Sequence, residues 1–459
     1  MTDKTLRAIG EFMRSVRPPG SFVARRTAWA GDLAIEVEGI GRLRFPVTPA
    51  QARQLRDITR PARYGLGEQT LLDPSVRDTG EIPLELVTVD QDRWHRGLAP
   101  ILDALRFDLG LPPDCELSAE LHSMLVYGPR QFFRRHRDSE KSDGMIATLV
   151  VTLPSFFEGG ELVVEHRGEQ VVDQGAPGRM DLGLVAFYTD CEHEVLPVTL
   201  GHRISLTYNL IAGPRAVPIA DAGATDPAIA ALADQLREHF TTPVPDTSSR
   251  RYLSGEPALE PPSLLVCLLD HQYSQRGFGW DQLKGADAAR VQVLLAAAEA
   301  AGYDAALALA EVQENHSSED LADEFWMCGR RRRWERVDGS WELVWDEWEP
   351  NEFTEDGPLE EERAEGSLSA DHPDRLTPEE LGRPSRGDIT LTWWIDRAGE
   401  VTGPVTRKVS SAEICVDTTE LDLQPFAVES EGFTGNEGNT VDRWYRRAAI
   451  IVRPGSEPA

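Results

Sequence analysis

Residues 127–154 read YGPRQFFRRHRDSEKSDGMIATLVVTLP, and residues 187–210 read FYTDCEHEVLPVTLGHRISLTYNL. Both are built for strands. From Arg203 the second stretch alternates strictly. Arg203, Ser205, Thr207 and Asn209 fall on one face; Ile204, Leu206, Tyr208 and Leu210 fall on the other. That is the period of a half-buried strand. In an extended chain, residues two apart point to the same side. His136 and Asp138 are therefore set side by side, with Arg137 facing away. His193 follows Asp138 by 55 residues. That is chain enough for several strands, so His193 would reach the pair across a folded sheet.

Two imidazoles and one carboxylate on one face of a metal leave positions open for a cosubstrate and O2, the arrangement of non-heme Fe(II) oxygenases. His136, Asp138 and His193 are the candidate ligands. His-x-acid alone is weak evidence. With 10 His and 77 acidic residues in 459, roughly 1.7 matches are expected by chance. The chain has two, at His136/Asp138 and at His372/Asp374. The second sits in the loop-like acidic stretch SADHPDRLTPEE, and context favours the first. Arg203 comes ten residues after His193, with VLPVTLG between to turn the chain. An arginine there can grip a carboxylate in a bidentate fork, and Ser205 shares its face. Thr148 and Thr152 share a face of IATLVVTL, so their hydroxyls can line a pocket, although β-propensity alone also places threonine on strands. ELHSMLVY delivers Tyr127, either as a hydrogen-bonding group or as a packed wall. Cys191 reads as a small buried residue. His122 and His166 lack comparable partners and read as structural. His202 should point away from Arg203's face. Asp270 and His271 are adjacent and cannot share a strand face.

These residues resemble the Fe(II)/2-oxoglutarate-dependent oxygenases of the prolyl 4-hydroxylase-like branch. That family's order is a Tyr-bearing strand, His-x-Asp, a Gly-Gly-Glu-Leu turn, a distal His and a downstream Arg or Lys. It matches here as Tyr127, His136-Arg137-Asp138, Gly159-Gly160-Glu161-Leu162, His193 and Arg203. The resemblance covers about residues 118–212. More narrowly, HRDSEKSDGM, TLVVTLPS, GGELVVEHRG and FYTDCEHEVLPVT are similar to large bacterial and fungal oxygenase-like proteins. It implies a double-stranded β-helix, or jelly-roll, with supporting helices. It also implies Fe(II) and 2-oxoglutarate as cofactor and cosubstrate, with ascorbate as a candidate accessory. Arg203 would take the far carboxylate of 2-oxoglutarate, with Tyr127, Thr148, Thr152 and Ser205 around it. Where close relatives place a tyrosine on the strand after His-x-Asp, this chain has Thr152. The presence of Asp138 separates the chain from related halogenases, which lack that carboxylate.

Composition bounds the rest. At 459 residues, two domains or one enlarged one are expected. The formal net charge is −30. Nucleic-acid binding generally needs a basic face, so no nucleic-acid partner is expected, whereas the overall charge favours a basic peptide or protein. Cys115, Cys191, Cys267, Cys328 and Cys415 are scattered, with no Cys-x-x-Cys. Reduced thiols and a cytoplasmic location are expected. The first twenty residues lack the apolar core of a signal peptide. No run is long enough to span a membrane, so no membrane partner is expected.

The fold class read from the chain is α+β, with three parts. Residues 1–110 form N-terminal helices and strands supporting the core. Residues 118–212 form the oxygenase β-helix. Residues 213–459 form a C-terminal α+β region. Within the first, a helix ends before Pro18-Pro19-Gly20, a hairpin turns near Gly39 and Gly41, a helix starts at Thr48-Pro49, and Trp94 to Leu109 is an amphipathic helix. Within the last, helices are expected after Asp226-Pro227 and from Lys284 to Ala301. SLLVCLLDHQYS and AALALAEVQEN are expected strands. WERVDGSWELVWDEW should form a hairpin at Asp338-Gly339. Arg330 to Arg333 should be ion-paired internally. Residues 349–388 are acidic and read as a mobile insertion. RWYRRAAIIV echoes RISLTYNLI, which raises a second β-helix without ligands. EGFTGNEGNTVDRWYRR has no chemistry assigned.

Three readings follow: a 2-oxoglutarate-dependent hydroxylase of a protein or peptide side chain, with proline one candidate; the same chemistry on a small molecule; or a non-catalytic binding protein on the same fold. Three intact ligands plus Arg203 favour an enzyme.

Overall fold

The structure is a computed structural model that describes residues 2–17, 20–66, 69–138, 144–175, 178–213, 226–245, 259–318, 330–337, 340–348, 385–415, 423, 425–431 and 439–455. Among the described residues five α-helices punctuate a strand-rich chain: α1 (Thr2–Ser15), α2 (Pro49–Asp57), α3 (Gln91–Asp108), α4 (Pro227–Thr241) and α5 (Gly285–Ala301). Three of them start as their sequences dictate. Thr48, Asp90 and Asp226 each accept a backbone N–H of the first turn through the side chain.

Residues 23–212 form a double-stranded β-helix. Its larger sheet has seven strands in the order Val23–Trp29, Asp181–Tyr188, Met145–Thr152, Arg203–Ala212, Leu117–Tyr127, Gly80–Ile82 and Arg60–Pro61. The smaller runs Glu169–Asp173, Leu162–His166, Glu192–Val195, Phe132–His136 and Arg77–Asp78. All neighbours in both sheets are antiparallel. Met145–Thr152 is buried along its whole length, as a central strand covered on both sides must be. The strand from Arg203 keeps its alternation. Ile204, Leu206 and Leu210 lie in the core, and Tyr208 packs near Trp94 of α3 with ring centroids 6.3 Å apart. That packing turns Arg203, Ser205, Thr207 and Asn209 to the opposite side, where all four line one cavity.

Beyond Asp226 the described residues build a second layer. One eight-stranded antiparallel sheet is centred on two 16-residue strands, Tyr303–Ser318 and Asn439–Pro454. Helices α4 and α5 pack on it. This is a single sheet rather than two facing ones, so the second β-helix suggested by RWYRRAAIIV does not form among the described residues. Helix α1, assigned by position to the N-terminal support, instead packs in this second core through Leu6, Ile9 and Met13. The strand expected over 263–274 is only Leu265–Leu268; the chain bends away before Asp270. The hairpin at 338–339 is present through its paired strands, its turn lying outside the described residues. Residues 349–384, with His372 and Asp374, also lie outside them, as do 432–438. Residues 385–388, expected within the mobile insertion, instead open the strand Ser385–Ile395. Within Arg330–Arg333, Arg333 pairs with Glu335 and Glu429, and Arg332 with Asp346. No helix of the described residues is long and apolar enough to cross a membrane.

The two layers are pinned together just past the strand Asp181–Tyr188. The Tyr188 hydroxyl donates to the Leu109 carbonyl and accepts the Gly285 N–H. Lys284, 2% exposed, donates to Asp190 at 3.1 Å and also to Thr189 and the Gln272 carbonyl. Burial works against the Asp190 carboxylate, yet His271 and Lys284 hold its pKa well below the usual range. Removing one partner of such a pair strands the other in low dielectric. Lys284→Ala should therefore lower stability by about 3–5 kcal/mol, and Asp190→Asn/Lys284→Met should recover part of the loss. Denaturant unfolding midpoints check this; an unchanged midpoint in the single variant would contradict it.

Candidate metal centre

The strands Phe132–His136 and Glu192–Val195 pair antiparallel, with His136 directly opposite His193. The gap in sequence is thus closed by strand pairing, whose register shifts between Phe133 and His136. The His136 Nδ1 donates to the Arg134 carbonyl at 2.8 Å, and the His193 Nδ1 faces the Cys191 carbonyl at 3.2 Å. These backbone acceptors fix each imidazole with Nε2 free, the arrangement that second-shell groups impose on metal-binding histidines. Both Nε2 atoms face Asp138: His136 is 3.8 Å from Oδ1 and His193 is 3.7 Å from Oδ2. All three ligand atoms lie within 4.8 Å of one another. Phe133 stacks on His136 with centroids 3.6 Å apart, holding the ring in place.

Electrostatics suit a cation. Burial, then the neighbouring His193, brings the His136 pKa down to about 3, so its ring is neutral and able to ligate. Burial opposes the charged form of Asp138, but His193, His136 and the Thr148 hydroxyl outweigh it and lower its pKa. Thr148 Oγ1 donates to Asp138 Oδ2 at 2.6 Å. Two imidazoles, that of His136 neutral, and a carboxylate at this spacing fit a ferrous ion.

Arg203 is 2% exposed, and its guanidinium donates to Thr152 Oγ1 at 3.1 Å and Ser205 Oγ at 3.3 Å. Among the described residues no carboxylate lies within 4 Å of it. Burial pushes its pKa down from the usual arginine range. It lies 5.6 Å from the Tyr127 ring centroid. The Gly159-Gly160 turn holds it there. Both glycines have positive φ, 70° and 69°. A Cβ on Gly160 would stand 2.8 Å from Val198 Cγ2 and 3.2 Å from Arg203 Cδ. The glycine lets the turn close against the arginine's stem.

A cavity of about 370 Å³ joins these parts, lined among others by Tyr127, His136, Asp138, His193 and Arg203. Its size suits a small ligand. The sequence reading needs four corrections. Asp138 lies past the end of its strand, so the face-sharing argument does not place it; the chain beyond His136 does. Arg137, expected to face away, donates to Glu192 and Gln272 and also reaches the cavity wall. Thr152 is not on that wall; its hydroxyl is spent on Arg203. His122, read as structural, does line the cavity. The pairing of its strand shifts between Leu121 and Ser123, and such a bulge re-aims a side chain; strict alternation could not foresee it. Arg60, Arg63 and Arg77 also line the cavity; they come from a glycine- and proline-rich stretch with no readable period. Cys191 is fully buried, away from the cavity wall, as expected.

Residues 122–211 match the family model of the 2OG-Fe(II) oxygenase superfamily. The matched segment carries the three candidate ligands and Arg203, and members of that superfamily use Fe(II) and 2-oxoglutarate. The match agrees with the resemblance read from the sequence. Three prolyl hydroxylases are among the similar solved structures. One, from Pseudomonas putida, is 20% identical over 45% of this chain and 98% of that chain, with a TM-score of 0.27. Another, from Trichoplax adhaerens and in complex with a hypoxia inducible factor peptide fragment, is 15% identical over 46% and 91%, with a TM-score of 0.28. A viral collagen prolyl hydroxylase from Paramecium Bursaria Chlorella virus-1 is 15% identical over 42% and 98%, at 0.23. No curated protein matches.

Thr148→Val removes a hydrogen bond from Asp138 without touching a ligand. Anaerobic titration should show Fe(II) affinity falling about 10–100-fold, and unchanged affinity would contradict the assignment of Thr148 as the group that orients Asp138.

Proposed function

We propose that this chain is an Fe(II)- and 2-oxoglutarate-dependent dioxygenase that hydroxylates a protein or peptide side chain, proline being one candidate. The observation that carries the reading is a buried arginine, unpaired with any carboxylate among the described residues, in the same cavity as two imidazoles and a carboxylate that converge on one point. Leaving a buried charge without a partner is costly, and a dicarboxylic cosubstrate supplies the partner. O2 is the oxidant: 2-oxoglutarate would give it two electrons and leave as succinate and CO2, the substrate C–H would give two more and become C–OH, and the bound Fe(II) would be where O2 is activated.

The chain's residues do the positioning. His136, Asp138 and His193 would hold the metal, beside the rest of the cavity. Arg203 takes the distal carboxylate of 2-oxoglutarate, with Thr152 and Ser205 keeping its fork in plane. Tyr127 walls the same end. Asp138 occupies the position a halide would need, which favours hydroxylation.

The cavity's own charge points to an acidic substrate group, opposite to what the whole-chain charge favours. Arg77 lies over the Phe133 ring, 4.4 Å from its centroid, and its Nε is buried without a hydrogen-bond partner. Arg60 and Arg63 are exposed. Arg60–Pro61 is also the edge strand of the larger sheet, where an extended peptide can lie. A small organic acid is the second reading, since the same arginines would recognise it.

With Fe(II) and 2-oxoglutarate but no oxygen, the protein should show a visible charge-transfer band. On admitting O2 it should form succinate, and His136→Ala should lose both. Absence of both from the wild-type protein favours a binding protein on this fold. Proline peptides flanked by glutamate should stimulate succinate release more than lysine-flanked ones; equal stimulation contradicts the acidic substrate. Gly160→Ala should raise the KM for 2-oxoglutarate by about 10-fold or more, as expected when one arm of a charge-assisted pair is displaced, with Fe(II) affinity unchanged. Unaltered KM would detach the glycine turn from Arg203.

A further inference from the structure

A second cavity, of about 670 Å³, lies where the β-helix meets α1 and α5. Arg14, Arg17, Arg167 and Arg290 line it, against only Asp270 and Glu169. In a chain of net charge −30 this is a local reversal of sign. Asp270 is shared between two of the arginines: Arg167 at 3.0 Å and Arg290 at 2.5 Å. Each of these spends one terminal nitrogen on it, and Arg290 spends Nε on the Met13 carbonyl. The remaining donors of both guanidiniums stay available. Arg17 is exposed.

Three further features face the same space. Gly285 and Ala286, the first residues of the 17-residue helix α5, line it; its N-cap residue Lys284 gives no side-chain cap, and the Gly285 N–H is taken by the Tyr188 hydroxyl, which leaves the N–H of Ala286. A helix N-terminus carries partial positive charge and free N–H groups. His271 is 4% exposed, and its Nδ1 is turned to Asp190 at 3.0 Å. The ring lines the cavity, and its Nε2 has no hydrogen-bond partner among the described residues. His166 stacks on His271 at 4.5 Å and makes no hydrogen bond either. Burial and the neighbouring His271 bring the His166 pKa down to about 3, so this ring offers hydrogen bonding rather than charge.

His166, Asp190 and His271 have ligand atoms close enough to suggest a second metal. The surroundings argue against it. Asp190 already accepts from Lys284, His271 and the Gln272 N–H. A cation there would sit beside a buried ammonium, with the His271 nitrogen that faces Asp190 already taken.

We propose that this cleft binds a small, multiply charged oxyanion, a phosphate ester or a polycarboxylate, held by Arg17, Arg167 and Arg290, the start of α5 and the free edge of His271. The site is independent of the metal centre and goes beyond the proposed oxygenase reaction. Calorimetric titration of the full chain with pyrophosphate, inorganic phosphate and citrate tests it. One anion should bind per chain, and binding should persist in Arg203→Ala, which disables the other anion-attracting pocket. Affinity should fall about 10-fold or more in Arg17→Glu and in Arg167→Ala. Arg17 is exposed, so Arg17→Glu should melt at the wild-type temperature without ligand. Tighter pyrophosphate binding assigns a phosphate ligand and tighter citrate binding a polycarboxylate. The proposal is overturned if none of the three binds, if Arg17→Glu and Arg167→Ala bind as wild type does, if binding is lost only in Arg203→Ala, or if Co(II) binds a second equivalent that His271→Ala removes.

Discussion

The placement of His136 opposite His193 across one antiparallel pair is the constraint the rest of the site depends on. A one-residue slip in a sheet sends every side chain to the other face. Here it would separate the two imidazoles and leave the half-buried Asp138 with the Thr148 hydroxyl but without its pair of imidazoles. The register is secured from several directions. Phe133 stacks on His136, Val164 of the next strand stands opposite His193, and each Nδ1 faces the backbone carbonyl two residues earlier in the chain. The metal centre is thus assembled by backbone pairing first and by side-chain chemistry second.

The second layer bears on this same register. Asp190 lies three residues before His193 and is gripped by Lys284, His271 and the Gln272 N–H, all from beyond the β-helix. Arg137, between the two ligands of the other strand, donates to Gln272 and Glu192. The C-terminal half therefore braces both strands that carry ligands. It also builds the wall of the basic cleft, so the metal centre and the cleft share a set of supports without sharing a residue.

Much of this was legible in the sequence because periodicity carries it. The polar face of the strand from Arg203, the run Met145–Thr152 and the caps at Thr48 and Asp226 each follow from local rules that the tertiary structure does not override. That His136, Asp138 and His193 would meet was legible because their order is tied to chemistry. What escaped reading was what backbone irregularity and long-range packing decide. A bulge turned His122 inward; the chain past His136 rather than the strand placed Asp138; a two-residue strand at Arg60 has no pattern to find. Helix α1 has an apolar face, but nothing in its sequence says which core will cover it. His271 joins Asp190 across 81 residues, a meeting that no spacing rule anticipates.

The most direct test of the account is a crystal structure of the anaerobic complex with Fe(II) and 2-oxoglutarate, with iron located by its anomalous signal. The account predicts one iron bonded to Nε2 of His136, Nε2 of His193 and the Asp138 carboxylate, and the far carboxylate of 2-oxoglutarate bound to Arg203. Iron bonded elsewhere, or a cosubstrate whose far carboxylate lies away from Arg203, would contradict it.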